Sequence, residues 1–516
     1  MKPVILSIDC GTQSLRALLF SEKGVLLDSS TISYAPCASP KPGWAEQDPE
    51  LYWKSLCLAT QELKDRSSDL FNAIKGVGIA SQRGSMINVD AKGSPLRPAI
   101  IWLDQRKASP DSGKNRLLNT ALNCTGLKRK LNMIRSEGKC NWIMQNQPDI
   151  WAATAKYLQV SGFLNHRLTG VFADSVASQI GHIPFSYKKM KWATTYELPA
   201  LLFPVESSKL PELVNPGDQI GAITSGASQQ TGICEGVPVI ACGSDKGCET
   251  LGAGVMDESM ASLSFGTTAT IQTTTERYME PIRMMPPYPA PVPGFYNPEI
   301  EIFRGFWMIT WFKNEFAHKE VLEAAASRIP PETILNRYLE QTTPGAMGLV
   351  VQPFWGPGLG HPFAKGAMIG FGDVHTKAHI YRAVIEGLGF ALNDGRMALE
   401  KAGRIKIQRA AVSGGASQSD AICKIVADIF NLTMVKGRTH ETSGLGAAII
   451  TAKGIGIYTD FLDAVNNMVV VKKVFEPDPE AVAIYQRIYS EVYRNLYTAL
   501  EPFYKKIQDI TGYPEK

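Results

Sequence analysis

VILSIDCGTQSLRALLF, residues 4–20, is the stretch that decides the fold. An apolar run ends at Asp9, Cys10-Gly11-Thr12 follows, and a second apolar run starts at Leu15. The two runs read as strands over 4–8 and 15–20 joined by a tight turn. Ser21-Glu22-Lys23-Gly24 reads as a hairpin turn and Val25-Leu26-Leu27 as the next strand. Three antiparallel strands at the start are unlike a Rossmann unit, which passes from strand to helix at once. The turn holds no Lys for a phosphate, yet it does not need one. Successive backbone N–H groups in a glycine turn make an anion-binding concavity, and a Thr hydroxyl adds a donor. A carboxylate at the strand tip can orient Mg²⁺, which keeps several waters and takes few protein carboxylates.

The same plan returns further on. VPVIACGSD (237–245) is a second Asp-tipped strand, and MASLSFGTT (260–268) is again a strand with a Gly-Thr turn, continuing into ATIQTTT. Gly11 and Gly266 stand about 255 residues apart, which points to a duplicated α/β domain with a cleft between its halves. Ala410-Ala411-Val412 leads into Ser413-Gly414-Gly415-Ala416-Ser417, a third strand ending in glycine. Taken singly each turn reads more readily as structure than as a site; the three in this order read as a nucleotide site.

The spacing predicts helices over 48–66, with Asp48 as N-cap and Pro49 in the first turn, and over 379–399, 420–430 and 443–453. The tail from Pro477 to Lys506 carries Tyr485, Tyr489, Val492, Tyr493, Leu496 and Leu500 at helical spacing, read as a packing face. MPPYPAPVPG (285–294) and Gly356–Gly360 read as loops.

The chain's 516 residues fit two to four domains at roughly 100–200 residues each. It is 44% hydrophobic and 20% charged, with a net charge of +4 and no Lys/Arg block, which argues against a nucleic-acid binder. No apolar stretch reaches transmembrane length and no secretory signal is seen, so a cytoplasmic protein without membrane partners is expected. Nine cysteines without a Cys-x-x-Cys pair read as free thiols of a reducing compartment. No Walker A loop, protein-kinase signature or His-Glu-x-x-His pattern is present, and His375 and His379 lack a third metal ligand.

In this order the motifs resemble the FGGY carbohydrate kinases. They are SIDCGTQSLRALLF, GWAEQDPELYW (43–53), GIASQRG (78–84), AIIWLDQR (99–106), GSDKG (243–247), LSFGTT (263–268), RAVIEGLGFAL (382–392), SGGASQS (413–419) and GLGAAIITAKGIG (444–456). The resemblance implies an α/β protein of two ribonuclease H-like domains, of the actin and Hsp70 ATPase type, with an interdomain cleft. The halves are placed at 1–253, holding the sugar pocket, and 254–516, holding the adenosine site. It further implies ATP and Mg²⁺ as cofactors, a sugar or polyol as substrate, and transfer of the γ-phosphoryl group to a ketose or polyol hydroxyl. A homodimer is compatible with this reading.

Residue by residue, the resemblance puts Asp9 at the Mg²⁺ end of the cleft, Gly11 and Thr12 on the phosphates, and Asp245 as general base. Gly266, Thr267 and Thr268 match the second phosphate turn; Gly414, Gly415, Ala416 and Ser419 match the adenosine segment. Gln82, Arg83, Trp102 and Asp104 fall in the sugar pocket. Other readings stay open: Asp245 as a helix N-cap, Arg83 as a solvated loop charge, Trp102 and Trp307 as core packing.

The chain also departs from the family pattern. Xylulokinases typically read Gln-Met-His-Gly and glycerol kinases Gln-Arg-Glu where this chain has Gln82-Arg83-Gly84-Ser85. Pro353–Gly358 stands where many members carry Gly-Glu-Arg, and Phe303–Trp311 is unusually aromatic. These changes touch the substrate rather than the ATP chemistry. Two rivals share the phosphate turns: an actin- or Hsp70-like ATPase that acts on a partner, and a sugar-binding regulator without catalysis.

Overall fold

The opening stretch forms two long antiparallel strands, β1 (Val4–Cys10) and β2 (Ser14–Ser21), followed by β3 (Leu26–Ser33). All seven residues of β1 are buried, as expected of a central strand covered on both faces. The computed structural model describes residues 2–109, 128–356, 361 and 363–513; the loop predicted over Gly356–Gly360 lies mostly outside these residues.

The described chain forms two compact units. The first comprises Met1–Gly252, Tyr288–Tyr296 and Glu441–Val469; the second comprises Ala253–Pro287, Asn297–His440 and Val470–Lys516. Two stretches of the expected C-terminal half therefore pack with the first unit.

In the first unit, β1 continues into β4 (Ile74–Ser81), β5 (Gln219–Ala222) and β6 (Pro238–Ser244), in the order β3-β2-β1-β4-β6-β5. β1, β4 and β6 run parallel, while β5 lies antiparallel on the edge. Helix α1 (Pro49–Arg66) begins as predicted: the Asp48 carboxylate accepts the Glu50 N–H at 3.0 Å and Pro49 takes the first turn. Its Tyr52, Leu56 and Leu63 share one core with Leu6, Ile8, Leu15 and Leu19. The opposite face of the sheet is covered by the helix Thr442–Gly454. This helix is the small-residue segment predicted to lie closely on a sheet. Glycine makes the approach close: a Cβ added at Gly78 of β4 would fall 2.1 Å from the Thr451 hydroxyl, and one at Gly446 would fall 1.9 Å from the Cys248 carbonyl oxygen of the neighbouring helix Asp245–Gly252. Those contacts are the physical reason Glu441–Val469 belongs to the first unit.

The second unit repeats the plan with β7 (Met260–Phe265), β8 (Ala269–Thr273), β9 (Glu299–Ile302), β10 (Arg409–Ser413), β11 (Thr433–Gly437) and β12 (Val471–Phe475). Its order is β9-β8-β7-β10-β11-β12, again three antiparallel strands, two parallel additions and an antiparallel edge. The duplication read from two glycine turns is thus a duplication of sheet topology, differing in that the edge strand precedes its neighbour in one unit and follows it in the other. The long helix over the second sheet, Lys377–Gly403, starts with a capping box in which the His379 ring accepts from the Thr376 N–H. That bond accounts for His379 without a metal.

The C-terminal tail departs from its expected pattern. Tyr485, Tyr493 and Leu496 are buried, but Val492 is exposed. A π-helical turn over Ile488–Tyr493 inserts between Pro479–Arg487 and Arg494–Thr511 and breaks the 3.6-residue phase. Among the described residues no helix is long and apolar enough to cross a membrane, and the eight cysteines are free thiols.

Candidate active site

The parallel strands β1, β4 and β6 end together. Asp9 lies level with Ala80 and Gly243, and Cys10 with Ser81 and Ser244. The residues just beyond, Gly11-Thr12, Gln82-Arg83 and Asp245, therefore share the carboxyl edge of one sheet, where open α/β sheets place their ligands. Asp9 is buried, and burial together with the charge of Asp245 pushes its carboxyl up to about 7 against the pull of Arg16. Arg16 stands opposite Asp9 on β2 at 3.5 Å and reaches Glu441 at 2.9 Å. The Ser443 hydroxyl donates to Asp9 at 3.3 Å.

Asp245 opens the helix Asp245–Gly252 but does not cap it. The Ser244 hydroxyl accepts the Gly247 N–H at 3.1 Å, so capping falls to Ser244, while Asp245 accepts the adjacent Lys246 N–H at 2.8 Å. Burial raises the Asp245 carboxyl above its ordinary range, opposed by the nearby Arg83 and Lys246. Arg83 is not a solvated charge: its guanidinium lies 4.8 Å from the centroid of the Tyr288 ring.

The other predicted pocket residues divide. Gln82 is buried and its amide is engaged on both sides, accepting from Ser85 at 2.9 Å and Thr12 at 3.2 Å and donating to the Gly11 carbonyl at 3.2 Å. It holds the first turn in shape from behind. Trp102 is 38% exposed and donates its indole N–H to the Thr12 hydroxyl at 2.7 Å, so it flanks that turn rather than filling a core. The Asp104 side chain is buried in a fork with Arg106, accepting at 2.8 and 2.7 Å, and also takes the Ala45 N–H at 2.6 Å. With both oxygens committed, Asp104 shapes the loop instead of offering an acceptor to a ligand.

In the second unit, the turns after β7 and β10 adjoin. Gly414 has a φ of +81° and a Cβ there would fall 2.8 Å from the Phe265 carbonyl carbon, so only glycine fits. An added Cβ at the exposed Gly415 meets nothing within 4 Å, leaving open backbone between Gly414 and Ala416 for a flat ligand. The Gly266 carbonyl accepts the Phe306 N–H at 3.0 Å, Thr268 donates to the Phe303 carbonyl at 3.3 Å, and Thr267 is exposed. Ser419 caps the helix Asp420–Phe430 by accepting the Ile422 N–H at 3.3 Å. Trp307 packs against the second core with Arg304 4.9 Å over its ring.

Models of the FGGY family of carbohydrate kinases match residues 4–252 (N-terminal domain) and 261–455 (C-terminal domain). The chain belongs to the FGGY carbohydrate kinases. This FGGY kinase is 28% identical to an uncharacterized sugar kinase, YgcE, of Escherichia coli (strain K12), over 99% of this chain and 96% of the relative. It is also 28% identical to a xylulose kinase of Lactococcus lactis subsp. lactis (strain IL1403), over 95% of this chain and 96% of that one. A gluconate kinase from Lactobacillus acidophilus shares the two-domain actin-like fold, with a TM-score of 0.83 at 22% identity, over 98% of this chain and 100% of the other.

The candidate site of this FGGY kinase contains residues that the sequence did not bring forward. Arg16, Glu441 and Ser443 surround Asp9, and Tyr288 backs Arg83. Arg16 carried a signal: a charge inside an otherwise apolar strand needs a partner, and its strand partner is Asp9. Glu441 and Ser443 lie more than 400 positions from Asp9 in sequence and carried none. The donor set fits the groups the family uses. A buried carboxylate raised by a second carboxylate suits a hard cation that takes few protein oxygens, and the open glycine backbone suits a nucleotide.

Proposed function

We propose that this kinase transfers the γ-phosphoryl group of ATP to a hydroxyl of a ketose, polyol or sugar acid, with Asp245 as general base. The observation that carries this reading is Asp245 itself: half-buried just beyond β6, relieved of capping by Ser244, close enough to Arg83 to feel its charge and close enough to Asp9 to raise that carboxyl. A sugar hydroxyl becomes an adequate nucleophile as its proton leaves, and a carboxylate within hydrogen-bond reach accepts that proton. The acceptor oxygen bonds to the γ-phosphorus, the bond to the β–γ bridging oxygen breaks, ADP leaves, and Asp245 holds the proton.

Phosphoryl transfer demands mainly alignment and neutralisation of charge. The Gly11-Thr12 turn, braced by Gln82 and Trp102, supplies backbone donors, and Gly266-Thr267-Thr268 adds backbone donors and the exposed Thr267 hydroxyl in the second unit. Gly414, Gly415 and Ala416 offer the surface for adenosine, with Ser419 fixing the helix behind it. Asp9 would hold Mg²⁺ largely through water, supplying charge neutralisation at the phosphates. The ketose and sugar-acid classes follow from the xylulose and gluconate kinases that this chain resembles, and the polyol class from the family resemblance.

The test is an ATP-consumption screen over pentuloses, hexuloses, aldonates, pentitols and glycerol, run with the wild-type enzyme and with Asp245→Asn. Acceptor-dependent ADP formation that disappears in the folded variant is expected. A folded, fully active Asp245→Asn enzyme would remove Asp245 from the role of base.

A further inference from the structure

Ser85 is fully buried between β4 and the short strand Met86–Val89, and its hydroxyl is one corner of a closed ring of hydrogen bonds. It accepts the main-chain N–H of Trp102 at 3.2 Å and donates to the Gln82 side-chain carbonyl at 2.9 Å. The same Gln82 oxygen accepts the Thr12 hydroxyl at 3.2 Å. Thr12 in turn accepts the indole N–H of Trp102 at 2.7 Å, which closes the ring. Each hydroxyl takes one bond and gives one, so the four bonds depend on one another. The ring is held from both sides. Gln82 donates to the Gly11 carbonyl at 3.2 Å and Gln47 to the Thr12 carbonyl at 3.0 Å, which ties in the main chain of the turn. On the other side, the loop of Trp102 is pinned by Arg106. Its guanidinium lies 3.8 Å from the centroid of the Trp44 ring and 4.7 Å from that of Trp142, and it pairs with Asp104 at 2.7 Å. A buried fork sandwiched between rings keeps few alternatives, so Trp102 reaches Thr12 from a fixed base.

We infer that Ser85 is a positioning residue for ATP: its hydroxyl closes the ring that sets the Gly11-Thr12 turn for the phosphates. Without that hydroxyl the Trp102 N–H and the Gln82 oxygen each lose a partner. Trp102 and the Gln82 amide then gain freedom to turn, and they are the two groups that hold the Thr12 hydroxyl. A turn that spends only part of its time in the binding geometry lowers the apparent affinity by that fraction, and saturating ligand restores it. The loss therefore falls on the ATP KM rather than on kcat. The ring also joins Gln82 and Trp102, read as the acceptor side, to the phosphate turn. This inference rests on Gly11-Thr12 being a turn that holds the ATP phosphates.

The experiment measures the ATP KM and kcat at saturating acceptor for full-length wild type, Ser85→Ala, Trp102→Phe, the double variant and Gly11→Asp. The acceptor is whichever of D-xylulose, D-gluconate and glycerol the wild type phosphorylates with the greatest kcat/KM. Ser85→Ala is expected to raise the ATP KM about threefold to tenfold, the worth of one hydrogen bond, with kcat within about twofold of wild type. Trp102→Phe, which keeps an aromatic ring and loses the indole N–H, is expected to raise the ATP KM by a similar factor. Because both break the same ring of bonds, the double variant is expected to match the worse single variant rather than multiply the two effects. Gly11→Asp tests the turn itself. A Cβ at Gly11 meets only the Ser14 carbonyl oxygen, at 3.5 Å, so the side chain fits while its charge repels a triphosphate, and the ATP KM is expected to rise about tenfold or more. With ATP weakened in Gly11→Asp, an unchanged ATP KM in a folded Ser85→Ala enzyme, or effects that multiply in the double variant, overturns the inference alone. If Ser85→Ala does not fold, an unchanged ATP KM in Trp102→Phe overturns it equally. An unchanged ATP KM in Gly11→Asp, or a wild type that phosphorylates none of the probes, overturns it together with the reading it rests on.

Discussion

At the residue scale, the proposed chemistry concentrates on two carboxylates with different surroundings. Asp245 faces Arg83 and Lys246; Asp9 faces Arg16 and a Ser hydroxyl. Asp245→Asn is expected to lower kcat by about 10²–10⁴, the usual worth of a positioned base, with the melting temperature retained. Asp9 gives a pH prediction. Its carboxyl, raised to about 7, is protonated below that pH and then cannot hold a cation. The Mg²⁺ concentration for half-maximal activity should accordingly rise about tenfold from pH 8 to pH 6, checked by Mg²⁺ titration at both pH values. These two aspartates were legible in the sequence because each ends an apolar strand. Asp104 was legible only as a position: that Arg106 and the Ala45 N–H take both its oxygens depends on tertiary neighbours.

At the element scale, the glycines separate stability from binding. Gly446 lets the helices Asp245–Gly252 and Thr442–Gly454 touch, so Gly446→Val should cost about 1–3 kcal/mol or more in urea denaturation. Gly415 opens onto space, so Gly415→Ala should leave stability within about 0.5 kcal/mol of wild type and raise the KM for ATP. Finding the opposite order, a destabilised Gly415→Ala with normal ATP affinity, would show that this turn serves packing alone. Strands and helices in the sheets were readable from period and capping, as in α1 with Asp48 and Pro49. The Val492 face was not readable, because a π turn changes the phase without changing composition. The Pro-rich segment was also opaque: its prolines announce a loop but not the surface on which the loop lies.

For the whole molecule, duplication is the organising fact. Two sheets of the same order each end in glycine-containing turns, and one of them carries both carboxylates. The repeat was visible as two strand-turn-strand units about 255 residues apart. The exchange of Glu441–Val469 into the first unit was not, since sequence order says nothing about which sheet a late helix covers. A phosphate-turn fold of this kind can serve a sugar kinase or an ATPase that acts on a partner, and the two differ in what gates ATP turnover. The deciding measurement is ADP release with and without a phosphorylatable acceptor, compared with the amount of phosphorylated sugar formed. A kinase with Asp245 as base releases ADP only as fast as it forms sugar phosphate, mole for mole, and loses both in Asp245→Asn. ADP release that is equal with and without acceptor, and unaffected by Asp245→Asn, would contradict that assignment.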